Sequence, residues 1–80
     1  MKFSIITPVL NGEKFIAETI DSILSQEGDF EIEYIIMDGA STDKTVEIIT
    51  SFEKRLHASE YPIRCKKANI RWISEKDAGI

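Results

Sequence analysis

Apolar positions along this chain switch between short unbroken bursts and a three-and-four spacing, and that switching predicts its elements. Phe3-Ser4-Ile5-Ile6-Thr7 is rich in β-branched residues and is closed by Pro8, Asn11 and Gly12, which predicts a buried strand ending in a loop. From Glu13 the spacing lengthens. Phe15, Ile16, Thr19, Ile20, Ile23 and Leu24 fall on one helical stripe, while Glu13, Lys14, Glu18 and Asp21 point elsewhere. This predicts an amphipathic helix capped by Asn11 or Gly12 and ended before Gly28. Glu33-Tyr34-Ile35-Ile36-Met37 is a second apolar burst, stopped at Asp38, and reads as a strand covered on both faces. Ser41 and Thr42 suit an N-cap and Asp43 suits a first turn. Val46, Ile49, Phe52 and Leu56 then mark a second helix to about His57. Residues 58–68 carry no period, and Ile70-Arg71-Trp72-Ile73 resumes a strand that ends near Glu75. The order β-α-β-α-β predicts right-handed crossovers and a parallel, Rossmann-like α/β sheet with helices on both faces.

Size narrows this to one small domain of 80 residues. A content of 42% hydrophobic and 30% charged residues is that of a globular chain with a packed core, not a disordered tail. The formal charge of −4 argues against a nucleic-acid partner, because phosphate contacts need clustered cations. Arg64, Lys66 and Lys67 form the one basic cluster. Its plain reading is a solvated loop before the third strand; its functional reading is a contact to anionic lipid or phosphate. Cys65 has no second cysteine to pair with, and with His57 as the lone histidine no zinc site of ordinary spacing assembles, so a reducing, cytoplasmic location is expected. Phe3 to Leu10 is too short, and too interrupted by Thr7 and Pro8, to be a signal peptide or a membrane span. Ile80 follows directly on a strand and a turn, where a further helix is needed to cover the sheet. The fold is therefore expected to be truncated, with an open edge that invites self-association.

In open parallel sheets, ligands lie beyond the carboxyl ends of the strands. Three loops should converge there: residues 8–12, residues 38–43 and residues 74–79. Ser4-Ile5-Ile6-Thr7-Pro8-Val9-Leu10-Asn11-Gly12-Glu13 resembles the opening strand and loop of family 2 glycosyltransferases of the GT-A fold. Asp38-Gly39-Ala40-Ser41-Thr42-Asp43-Lys44-Thr45 is similar to that family's D-(D/G)-x-S-x-D-x-T segment. Ser74-Glu75-Lys76-Asp77-Ala78-Gly79-Ile80 is similar to the segment after its third strand. The resemblance runs through essentially the whole chain and implies the N-terminal, nucleotide-sugar-binding portion of such an enzyme, residues 1–80 forming a partial domain.

That resemblance implies a nucleotide-binding set of Pro8, Val9, Leu10, Asn11, Asp38 and Asp77. Asp38 would accept the N3–H of a uracil in a charge-assisted hydrogen bond, which cytosine does not offer; its plain alternative is an Asp that starts the turn through Gly39. Pro8 to Leu10 would form an apolar shelf under the base and Asn11 would shape the turn, against the plainer reading of a Pro-ended strand with an Asn-Gly turn. The family often stacks an aromatic residue where this chain has Leu10. Asp77 would lie near ribose or diphosphate, or else in a surface turn. Ser41, Thr42 and Asp43 read first as helix-capping residues. Glu75-Lys76-Asp77 has an acid-x-acid form but is not assigned to metal, since the family's D-x-D lies further on. The resemblance thus implies an inverting glycosyltransferase that uses a UDP-sugar donor and a glycan, lipid-linked or small-molecule acceptor. Its Mg²⁺ or Mn²⁺ ligands and its catalytic residues would lie outside this stretch, and the complete enzyme would touch a membrane peripherally. Two rivals stand beside it: a noncatalytic nucleotide-binding or interaction module, and a flavodoxin-like receiver domain with Asp38 as phosphoacceptor. The receiver reading lacks an acidic pair between Pro8 and Gly12 for its Mg²⁺.

Overall fold

The computed structural model describes residues 1–76. It runs β1 (Lys2–Val9), α1 (Ile16–Leu24), β2 (Gly28–Asp38), α2 (Thr45–His57) and β3 (Cys65–Ser74). The three strands form one parallel sheet in the order β1-β2-β3. The predicted β-α-β-α-β order and parallel pairing are those of the N-terminal part of a GT-A fold.

Each strand is longer than its apolar burst. β1 continues through Pro8, which an edge strand tolerates when the missing N–H faces outward. It does so here: the carbonyls of Met1 and Val9 accept from Glu31 and Gly39 on the β2 side, so odd positions of β1 face β2 and Pro8 turns its nitrogen to the free edge. β2 begins at Gly28, five residues before the burst, with an irregularity in its pairing to β3 between Gly28 and Glu31. β3 begins at Cys65, so Lys66 and Lys67 lie in a strand and not in the loop expected for them. Charged side chains hid both strand starts, because a strand open to water on one face carries polar residues that break an apolar run.

Helices on both faces were expected; both pack on one. Right-handed crossovers that step the same way across the sheet, from β1 to β2 to β3, leave α1 and α2 on the same side. Burial along β2 records this. Ile32, Tyr34, Ile36 and Asp38 are buried, whereas the alternating Glu31, Glu33, Ile35 and Met37 are half-buried. Ile16, Ile20 and Leu24 of α1 and Ile49 and Phe52 of α2 join the first set in a single core with Val9, Tyr61 and Ile70. Tyr34 donates to Thr7 Oγ1 at 2.8 Å, satisfying its hydroxyl inside that core. Trp72 is half-buried against it and donates from Nε1 to Glu53 at 3.3 Å.

The helix starts also differ from expectation. α1 opens at Ile16 after a turn in which the Gly12 carbonyl accepts from Phe15 and Ile16, and neither Asn11 nor Gly12 caps it. Asn11 is occupied elsewhere, by Thr42. α2 opens at Thr45, and the cap is supplied by Asp43, whose Oδ1 accepts the Thr45 amide at 2.9 Å and the Thr45 hydroxyl. Its last turn carries Lys54, Arg55 and His57, which complement the helix dipole. Tyr61, in the connection to β3, ties the helices together. Its ring lies 5.8 Å from that of Phe52, its hydroxyl donates to the Asp21 carboxylate, and the Arg55 guanidinium sits 5.0 and 5.2 Å from the two ring centres.

Candidate functional site

The register sets three strand ends side by side. Val9 pairs with Asp38, Asp38 pairs with Ser74, and one further step of pairing joins Gly39 to Val9 and Glu75 to Asp38. Asp38 lies on the helix-facing side of the sheet and is fully buried. Its carboxylate is the meeting point of the tips: Oδ2 accepts the Ser41 amide at 2.9 Å and the Ser74 hydroxyl at 2.7 Å, and Oδ1 accepts the Ser41 hydroxyl. Burial alone would push this carboxyl up. The donations from Ser41, Ser74 and the Ala40 amide outweigh burial and hold it below the ordinary carboxylate value.

The loops after β1 and β2 are laced to one another. The Asn11 amide donates to Ser41 Oγ at 2.8 Å, and Asn11 Oδ1 accepts the Thr42 amide at 2.8 Å. The Gly12 amide donates to Thr45 Oγ1 at 2.9 Å, and the Glu13 amide donates to Asp43 Oδ2 at 3.1 Å. Asp43 thereby serves two ends at once. Burial pushes its carboxyl up, but the Thr45 hydroxyl and amide and the Glu13 amide bring it below the ordinary value. Asn11 and Ala40 both hold positive φ, 50° and 63°. Asn accepts that conformation readily, whereas Ala pays roughly 1–2 kcal/mol for it, which the Asp38 anchorage must offset.

The residues expected to bind nucleotide fall into three groups. Leu10 and Asn11 lie exposed on the loop that is laced to residues 41–43, and Asn11 is linked to Asp38 by two hydrogen bonds through Ser41. Pro8 is exposed on the face away from the helices, paired with Met37, and so lies on the opposite side of the sheet from Asp38, while Val9 is sunk in the core; of the expected apolar shelf only Leu10 is exposed on the loop beyond the strand. Asp77 lies outside the described residues. Ser41, Asp43, Thr45 and Ser74, read as caps or passed over, prove to organise the tips. The signal that finds Ser74 is strand register, since the hydroxyl meets Asp38 only because the two residues are direct partners. Two surface hollows lie elsewhere: one of about 510 Å³ at Glu53, Lys54, His57 and Ala58, and one of about 80 Å³ bounded by Lys2, Glu31, Glu33 and Lys67. Neither touches the strand tips. Among the described residues no three acidic, His or Cys side chains gather as a cation site.

The sequence profile of Glycosyl transferase family 2 matches residues 4–74. The chain is 40% identical over 60 residues, 71% of its length, to the poly(ribitol-phosphate) beta-N-acetylglucosaminyltransferase TarS of Staphylococcus aureus, of which the match covers 10%. It is 40% identical over 58 residues, 69% of its length, to a poly(ribitol-phosphate) beta-glucosyltransferase of Bacillus spizizenii, covering 9% of that protein. It is 44% identical over 55 residues, 68% of its length, to a PGL/p-HBAD biosynthesis glycosyltransferase of Mycobacterium bovis, covering 21%. The chain thus spans only a small part of these relatives. No solved structure matches.

Proposed function

The chain belongs to glycosyl transferase family 2, and from that membership we propose that it supplies the nucleotide-binding half of an enzyme that moves a sugar from a UDP-sugar to a glycan, lipid-linked or small-molecule acceptor. The observation that supports a donor site here is the gathering of three strand tips around one buried carboxylate. Such a group, held ionised by its donors, is a strong acceptor for an imide N–H. In this reading Leu10 flanks the base, Asn11 sets the loop, Asp38 selects the pyrimidine by its N3–H, and Asp77 attends the ribose or diphosphate, while Pro8, on the other face of the sheet, shapes the end of β1. Two relatives are named for transfer to poly(ribitol-phosphate), which makes a polymer of that kind the first acceptor to test with the longer protein.

Transfer is proposed to proceed with inversion, a carboxylate outside this stretch taking the acceptor proton. Family 2 enzymes typically use a divalent cation. The described residues do not fit one, because Asp38 has its oxygens committed to serines and no other acidic group joins it. The 80-residue chain is accordingly proposed to bind nucleotide without turning over a sugar nucleotide. A cytoplasmic setting is proposed from the lone thiol of Cys65. No described helix is long and apolar enough to cross a membrane. Calorimetric titration with UDP and CDP tests the donor site. UDP should bind in preference to CDP, and Asp38→Asn should weaken UDP roughly tenfold or more, the loss of one charge-assisted hydrogen bond. Absence of UDP binding, or equal binding by the variant, would remove the reading.

A further inference from the structure

Two serines enclose Asp38, and they are held in different ways. Ser41 is anchored on every side: its amide donates to Oδ2 at 2.9 Å, its hydroxyl donates to Oδ1, and that hydroxyl also accepts the Asn11 amide at 2.8 Å. Turning the Ser41 side chain breaks two hydrogen bonds and releases the first loop. Ser74 reaches Oδ2 through its hydroxyl alone, at 2.7 Å, from the exposed last residue of β3. Turning it breaks one hydrogen bond and delivers the hydroxyl to water.

A fully buried carboxylate meets a ligand only if one of its donors gives way, so the question is which one. We propose that Ser41 is a positioning residue that fixes Asp38 and the Asn11 turn, whereas the Ser74 hydroxyl is a displaceable cap that a pyrimidine N3–H replaces on Asp38. The exchange keeps the carboxylate satisfied. One donor leaves Oδ2 and another arrives, and the serine hydroxyl finds water in place of the carboxylate. The inference deepens the nucleotide reading and rests on it.

The two serines make opposite predictions, which a purely structural role does not. Both donate to the same carboxylate, so if they merely hold the fold, removing either should weaken binding alike. UDP titrations of the chain and its variants separate the cases. Ser74→Ala should bind UDP about threefold tighter, because no hydroxyl competes for Oδ2, and Ser41→Ala about tenfold weaker, with Ser41→Thr restoring affinity by keeping the hydroxyl. Weaker binding by Ser74→Ala, or unchanged binding by Ser41→Ala, overturns the proposal. If Ser41→Ala fails to fold, Ser74→Ala decides alone by the direction of its change. Wild-type chain that gives no heat with UDP removes the nucleotide reading and this proposal with it, whereas wild-type binding with same-direction serine effects removes only the proposal.

Discussion

At Gly12 the first loop leaves no room for a side chain. A Cβ built there would stand 2.6 Å from both Val9 Cγ2 and Phe15 Cζ, while the Gly12 amide is already spent on Thr45. Val9 is fixed in the core, so Gly12→Ala must push Phe15 aside or shift the loop. We predict a loss of about 1–3 kcal/mol in chemical denaturation. Asp38 gives a second residue-scale expectation, in its acid limb. Its carboxyl is depressed in the folded state below the ordinary 3.8, so the stability it contributes is present above that pH and is lost as pH falls through the lower, folded value. Asp43 is depressed in the same direction and adds to that limb. Denaturation midpoints measured from pH 6 down to about 2 should therefore fall below the ordinary value, and Asp38→Asn should shorten but not abolish the fall. Asp38 and Asn11 are marked by the family resemblance of their segments, beside the plainer readings of a turn-starting Asp and an Asn-Gly turn. The sequence did not show that Asn11 serves Thr42 or that Ser74 serves Asp38, since both bonds cross between loops or strands and depend on register.

Between elements, the bond from Tyr61 to Asp21 does what helix periodicity could not forecast. Periodicity predicted both helices because each has a single apolar stripe, but residues 58–68 carried no pattern, and the group that clamps α1 to the connection after α2 lies among them. Burial raises the Tyr61 hydroxyl, and the Asp21 carboxylate raises it further, to about 12. The sign follows from the raised value. Stability from this group is complete below the unfolded value of 10.0 and is lost as pH rises toward 12. Tyr61→Phe should cost about 1 kcal/mol near neutral pH and should flatten the alkaline loss between pH 9 and about 12, both read from denaturant midpoints. An alkaline limb of equal depth in the variant would mean that the Asp21 bond contributes nothing to stability. Strand ends were the least legible elements for a related reason: Lys66, Lys67 and Glu31 belong to strands, while the two lysines are exposed and Glu31 is only half-buried.

For the molecule as a whole, the decisive feature is a sheet with two unlike faces. The helix side holds the core; the other side carries Ile6 at 59% and Ile73 at 50% exposure, with Ile35 and Met37 half-buried between them. An apolar stretch toward the carboxyl ends of the strands thus lies beside the proposed donor loops, with Arg71 level with Ile35 at its border, while Lys2, Glu31, Glu33 and Lys67 occupy the amino ends of the same face. Neighbouring residues of one type test how one-sided the fold is. Ile36 is fully buried and Ile35 only half so, although both sit in β2 with identical side chains. In dilute chain Ile36→Ala should cost about 2–5 kcal/mol, the usual range for emptying a packed site, and Ile35→Ala about 1 kcal/mol. If copies associate through the open face, as its exposed isoleucines favour, the two costs should converge when denaturation is repeated at high concentration, because Ile35 is then buried as well. Equal costs already in dilute chain would show that a second layer covers Ile35 within one molecule, and the one-sided sheet would be wrong.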